Sequence, residues 1–373
     1  MALQEKLDYF LDNQKCSIGY PMNFSYDYTP LVKEYLNLFA CKFNNIGPVD
    51  KPSVYTSHTK DFDKKVIDFL ASLWKFDLEH VWGYITANGT EGNTQALYIA
   101  RQLYPTGILY FSTETHYSIR KIAKLLCMTT VEIPSSEKGE MDYIAFEKGL
   151  LENLDKPVIV CANIGTTMKG AIDDTREIYR IIRKHHKHND YFLHADGALS
   201  GFLLPFFEKD LFFKRYIHSI AISCHKFLGI PFPCGVILLD TKHCARMKQT
   251  IDNSAYVEYI DCNDCTISGS RSGHASIFIN YAFETFGLKR FEADTAQCIE
   301  NANYLVEKLN DIESVEMNAW RNNNSIIVIL TRPKEEVVKK WQLACEKGVS
   351  HVVVMPHVTK KLIDEFVSDV TTG

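Results

Sequence analysis

The chain has 373 residues, 46% of them hydrophobic, enough to bury a large core and to divide into two domains. Its formal charge of -5 offers no basic surface to nucleic acid, and no apolar run approaches the roughly 20 residues of a membrane span. The polar N-terminus lacks a secretory hydrophobic stretch, so the 11 cysteines read as reduced thiols of a cytoplasmic protein.

In chain order, the first 45 or so residues read as an arm: a helix from Gln4 to Leu11, a turn at Gly19-Tyr20-Pro21 and a helix from Tyr28 to Phe43. Short apolar strands and amphipathic helices then alternate. The strands are Ile108–Phe111, Val131–Ile133, Val158–Ala162, Tyr191–His194, Ser219–Ser223 and Val236–Leu239. The helices between them are Gly92–Arg101, Ser118–Leu126 and Thr175–His186. That alternation predicts an α/β fold, a mostly parallel sheet covered by helices with ligands at the carboxyl ends of its strands. Past Arg271 the pattern changes to two helices (275–287 and 290–309), strand Ser325–Leu330, helix Lys334–Lys347, strand Val352–Met355 and helix Thr359–Val370. The expected division is an arm at 1–45, a large domain at 46–275 and a small α+β domain at 276–373, with Ile326–Leu330 pairing with Val352–Val354.

Two strand ends carry the chemistry. Tyr191–His194 leads to Ala195-Asp196, and Ser219–Ser223 leads to Cys224-His225-Lys226. A strand-end aspartate followed by a strand-end His-Lys is what a pyridoxal 5'-phosphate enzyme requires. The lysine holds the cofactor aldehyde, and the carboxylate keeps the pyridine nitrogen protonated. Four further segments fall where a phosphate-bearing cofactor needs them. Gly89-Thr90 opens a helix whose amides and Thr90 hydroxyl suit a phosphate dianion. His116 follows a strand and can stack on the ring. Thr166 and Thr167 follow another strand and can reach the ring oxygen. Ser270-Arg271, in a Gly- and Ser-rich turn, either completes the phosphate cradle from a neighbouring subunit or marks the domain boundary. A lone Cys262-Asn263-Asp264-Cys265 has no second pair for a metal site, and Lys184-His185-His186-Lys187-His188 reads as a solvated helix end.

Together these segments resemble the group II pyridoxal phosphate-dependent amino-acid decarboxylases, in the branch of bacterial-type histidine decarboxylases and plant serine decarboxylases. The resemblance rests on Gly19-Tyr20-Pro21, Trp82 to Thr86, Gly89 to Asn93, Thr115 to Ser118, Asn163 to Thr167, His194 to Ala198, His225-Lys226 and Gly269-Ser270-Arg271. It spans nearly the whole chain in the same motif order. It implies the fold type I architecture with a seven-stranded sheet, and a homodimer with shared active sites. It makes Lys226 the Schiff-base lysine and Asp196 the pyridinium partner, with His116 on one ring face and Ala198 on the other. Gly89, Thr90, Ser223, His225 and Ser270 would hold the phosphate, and Thr166 would lie near the ring oxygen. Cys224 departs from the family's usual glycine and adds bulk beside the lysine. A loop tyrosine protonates the substrate carbon in related enzymes, and Tyr259 is the candidate here.

The substrate expected is L-histidine, giving histamine, with L-serine, giving ethanolamine, next. Asn318 to Ser325 is similar to bacterial histidine decarboxylases. His58, Trp341 to Cys345 and His351 to Pro356 are similar to plant serine decarboxylases. An aminotransferase on the same fold would need an arginine for its keto acid, for which Arg321 and Arg332 are available. A scaffold without catalysis would not need Lys226, Asp196 and His116 together.

Overall fold

The computed structural model describes residues 2–51, 54–186, 190–208, 216–242, 245–313 and 316–372. Seven strands form the central sheet: β1 (Val81–Thr86), β2 (Ile108–Ser112), β3 (Thr129–Ile133), β4 (Val158–Asn163), β5 (Tyr191–Asp196), β6 (Ser219–Ser223) and β7 (Gly235–Asp240). Their spatial order is β1-β7-β6-β5-β4-β2-β3, with β7 antiparallel to both neighbours and every other pairing parallel. Strands β4, β6 and β7 are buried at every position, as continuous apolar runs in a doubly covered sheet should be. Side chains alternate between two cores. Leu109, Ile159, Phe192, Ala221 and Ile237 face one side, where helix α1 (Gly89–Leu103) packs. Tyr110, Val160, Leu193, Ile220 and Leu238 face the other. The sheet's carboxyl edge therefore presents Ser112, Asn163, Asp196 and Ser223, all buried polar residues at the ends of strands.

The helix expected over Tyr28 to Phe43 is only Thr29–Glu34; beyond it the chain runs on in turns, with Leu38 buried in the core and Phe39 stacked on His274. Strand β1 and helix Lys60–Leu73 lie where no element was expected; Gly83 interrupts the apolar run of β1. The helices after Arg271 are α2 (Gly273–Thr285) and α3 (Gly287–Asn310), parted where Gly287 takes a φ of 72°.

The C-terminal sheet holds β8 (Ala319–Trp320), β9 (Ile327–Thr331), β10 (Ala344–Glu346) and β11 (Val349–Val353), in antiparallel order β8-β9-β11-β10. Ile327 pairs with Val353, so the two apolar runs do meet. The single helix expected over Lys334–Lys347 is instead helix Glu335–Trp341 followed by β10. Gln342 leaves the helix in the left-handed region, and Lys347-Gly348, both at positive φ, form the two-residue hairpin turn between β10 and β11. Among the described residues no helix is long and apolar enough to cross a membrane.

Candidate active site

The carboxyl edge of the sheet opens into a cavity of about 400 Å³. Gly89, Thr90, His116, Thr166, Asp196, Ala198, Ser223, His225 and Lys226 all line it, as do Gly19 to Pro21 of the arm and Ile327, Ala344, His351 and Val353 of the C-terminal sheet. Nine of the eleven residues predicted for the site thus converge from five separate strand ends and turns.

Helix α1 starts at a reciprocal cap. Asn88 Oδ1 accepts from the Glu91 amide at 3.0 Å, and Glu91 Oε2 accepts from the Ala87 amide at 2.7 Å. The helix itself supplies no acceptor for its first amides, so those of Gly89 and Thr90 are donors at the positive end of the dipole. Glycine at position 89 keeps this approach open: a Cβ there would lie 2.7 Å from Ser223 Oγ and 3.1 Å from Ala198 Cβ. The result is a cradle of main-chain donors beside two hydroxyls, a donor set that could hold a phosphate.

Across the cavity, Lys226 follows β6. Burial pushes its ammonium group below the usual lysine range, and Asp196 opposes that shift. Asp196 Oδ1 accepts from the Ala198 amide at 3.1 Å, which turns the carboxylate toward the cavity. His116 caps helix Tyr117–Leu125: its Nδ1 accepts from the Ser118 amide at 3.3 Å and lies 2.7 Å from Ser118 Oγ. A ring accepting at Nδ1 carries its proton on Nε2 when neutral, and burial lowers its pKa, with Asp196 opposing and Lys226 reinforcing. Burial likewise lowers the pKa of His225, whose Nδ1 is held 2.8 Å from the Cys234 carbonyl. Cys224 points into the apolar core rather than the cavity, so its bulk stays clear of Lys226.

The turn after β4 is fixed twice. Gly165 sits at a φ of 98°, where a Cβ would lie 2.4 Å from Ser200 Oγ, and Thr166 Oγ1 accepts from the Ala171 amide at 3.0 Å. Asn163 donates through Nδ2 to Asp173, Ser112 and Thr115, tying the His116 loop to the end of β4. Asp173 also accepts the amides of Asn163 and Met141. Sequence reasoning missed Asp173, although an Asp-Asp pair opening a helix at Asp174 marks one acid as a cap and leaves the other to be explained.

Two expected residues stand elsewhere in this chain. Tyr259 is 77% exposed, in the short turn Glu258–Ile260. Ser270 is exposed on strand Ser270–Ser272, paired with Asn44–Ile46, and its hydroxyl accepts from Asn44 Nδ2 at 3.1 Å. Strand alternation turns Arg271 inward instead, where it donates to the Gly47 carbonyl at 2.7 Å. Arg321 is spent on the carbonyls of Asn322, Asn323 and Ser325, and Arg332 pairs with Glu335 on the surface, so neither lines the cavity. Of the His-rich run, Lys184 and His185 pair with Glu147, while Lys187 and His188 lie outside the described residues.

A mostly parallel seven-stranded sheet, with a lysine, a carboxylate and a helix N-terminus meeting at its strand ends, defines a fold type I pyridoxal phosphate enzyme. The chain belongs to the pyridoxal-dependent decarboxylases: residues 62–330 match the pyridoxal-dependent decarboxylase conserved domain. It is 42% identical to serine decarboxylase 3 of Oryza sativa subsp. japonica, over 95% of this chain and 77% of that one. It is 36% identical to histidine decarboxylase of Morganella morganii, over 98% and 97%. Among solved structures, L-methionine decarboxylase from Streptomyces sp. 590 shares the fold, with a TM-score of 0.88 at 22% identity over 99% of this chain and 93% of that one. The protein is a pyridoxal phosphate-dependent carboxy-lyase.

Proposed function

We propose that the substrate is L-serine, released as ethanolamine and CO₂, with L-histidine as the second reading. The observation that carries this is where the two sets of substrate-like segments fall. Ala344, His351 and Val353, from segments similar to plant serine decarboxylases, line the cavity. Asn318 to Ser325, similar to bacterial histidine decarboxylases, does not. Asn322 there donates to the carbonyls of Lys138 and Lys169, tying the C-terminal sheet to the large domain. Histidine is kept because the Morganella morganii relative matches over nearly its whole length. Purified protein with cofactor should release CO₂ and ethanolamine from serine faster than histamine from histidine, by roughly 10- to 100-fold for selection by the shape of an apolar wall. Histamine as the dominant product would put the second reading in its place.

Bound pyridoxal phosphate supplies an electron sink for the pair left behind when the carboxylate departs. The chain's residues do the rest. Lys226, whose charged form is disfavoured by burial, would hold the cofactor through its aldehyde. Asp196 holds the proton on the ring nitrogen through a charge-assisted hydrogen bond. His116 and Ala198 would hold the ring between them, the Gly89 and Thr90 amides, Ser223 and His225 would hold the phosphate, and Thr166 would serve the ring oxygen. The apolar wall of Ile327, Ala344 and Val353 excludes water beside the substrate, which favours loss of neutral CO₂.

We also propose a cytoplasmic homodimer divided as arm 1–45, large domain 46–275 and small domain 276–373. The arm's first helix, Leu3–Asn13, exposes Leu3, Leu7, Phe10 and Leu11 on one face, an apolar stripe suited to a second copy of the chain. In that assembly Tyr259 and Ser270 serve the partner's cavity, Tyr259 as the proton donor to the substrate carbon and Ser270 at the phosphate. Mixed dimers of Lys226→Ala and Tyr259→Phe chains test this. Recovered activity, from one cavity holding both native residues, supports the shared site, and none contradicts it.

A further inference from the structure

Asp196 is held by Asn93, which lines the same cavity, and through it by two further buried side chains. Asn93 Nδ2 donates to Asp196 Oδ2 at 2.9 Å. Asn93 Oδ1 lies 2.9 Å from His194 Nε2, and His194 Nδ1 lies 2.9 Å from Ser219 Oγ. The four side chains are between 0% and 6% exposed, so water cannot substitute for any link.

The chemistry of these groups gives the line a direction. A carboxylate only accepts, so the Asn93 amide must present its NH₂ to Asp196 and its oxygen to His194. That oxygen only accepts, so the His194 proton sits on Nε2. Nδ1 is then bare and accepts a hydrogen bond from the Ser219 hydroxyl. Burial pushes the His194 pKa down to about 4, which keeps the ring neutral. Every donor points toward Asp196, the one charge in the line. Two strand and helix periods assemble it. His194 and Asp196 are two apart on β5 and share a face, and Asn93 is one helical turn beyond Gly89. Helix α1 thus grips the phosphate end of the cavity with its N-terminus and the ring-nitrogen end with Asn93.

We propose that Asn93, His194 and Ser219 are positioning residues that fix the rotation of the Asp196 carboxylate and set how firmly it holds the ring-nitrogen proton. The relay rests on Asp196 being that nitrogen's partner. Losing it leaves the cofactor bound through Lys226 and the phosphate cradle but with a less protonated ring.

The test is to load the holoenzyme with pyridoxal phosphate carrying ¹⁵N in the ring and to read the ring-nitrogen chemical shift alongside kcat and KM. Asn93→Ala should move the signal toward the unprotonated ring and lower kcat roughly tenfold or more with little change in KM. Ser219→Ala should move it the same way but less. His194→Gln, which still donates to Asn93, should recover most of what His194→Leu loses. If Asn93→Ala fails to fold, the His194→Gln and His194→Leu pair with Ser219→Ala gives the same reading. A ring-nitrogen signal unchanged in all the folded variants overturns the relay. An unchanged signal in Asp196→Asn overturns the pairing of Asp196 with the ring instead, which separates the two failures.

Discussion

The large-domain wall of the cavity is crowded with polar groups held by buried hydrogen bonds, whereas the C-terminal wall offers Ile327, Ala344, Val353 and one histidine. That histidine is already committed: His351 lies 3.0 Å from both the Met168 and the Gly19 carbonyls, bridging the large domain and the arm. The contrast separates two tasks. Charges that act on a cofactor need fixed positions, which strand ends and helix caps supply. A wall that selects a side chain needs shape, which a small apolar sheet supplies.

Damage to the polar wall should therefore cost cofactor chemistry with every amino acid, and damage to the apolar wall should change only which one is used. The largest effect belongs to Lys226→Ala, expected to lower CO₂ release by roughly 10⁴-fold or more with serine and histidine alike. Asp196→Ala should follow, roughly 10²- to 10³-fold down in kcat, measured by the same assay. Gly89→Ala drives a methyl toward Ser223 Oγ and should weaken cofactor affinity about tenfold, read by titrating the apo-protein with pyridoxal phosphate. Ala344→Val should leave that titration unchanged and alter the serine-to-histidine ratio of kcat/KM by several-fold. An equal loss with both substrates would erase the distinction between the walls.

A stability effect with a defined sign comes from His194. Its folded pKa of about 4 lies below the ordinary 6.5, so the unfolded chain binds the extra proton between those values. Stability present above pH 6.5 is lost as the pH falls toward 4, by up to about 3 kcal/mol from this group. The fall in Tm over that window should be shallower in His194→Gln than in the native chain, and parallel curves would contradict it.

Most of the polar wall was legible in the sequence because each group sits at the end of a strongly apolar strand, where period and punctuation agree. Lys226, Asp196 and His116 were found that way. Asn93 and Asp173 were not, since a buried amide or acid inside or beside a helix looks like any other until its partner strand is known. Strand β10 was hidden because Ala344-Cys345-Glu346 continues a helical pattern, and only the positive φ of Gln342, Lys347 and Gly348 turns the chain back. Tyr259 and Ser270 were read from motif position alone, which carries no information about the face a side chain takes. The arm helix over Tyr28 to Phe43 stops short for a related reason, as Leu38 packs into the core and Phe39 stacks on His274 from a turn rather than from a continued helix.

The most direct test of the site is chemical capture of the lysine. Holoenzyme reduced with borohydride and digested should carry the pyridoxyl group on the peptide containing Lys226, with the visible absorption lost on reduction. Label on another lysine, or no covalent label at all in protein that binds the cofactor, would contradict the assignment of Lys226 and the cavity built around it.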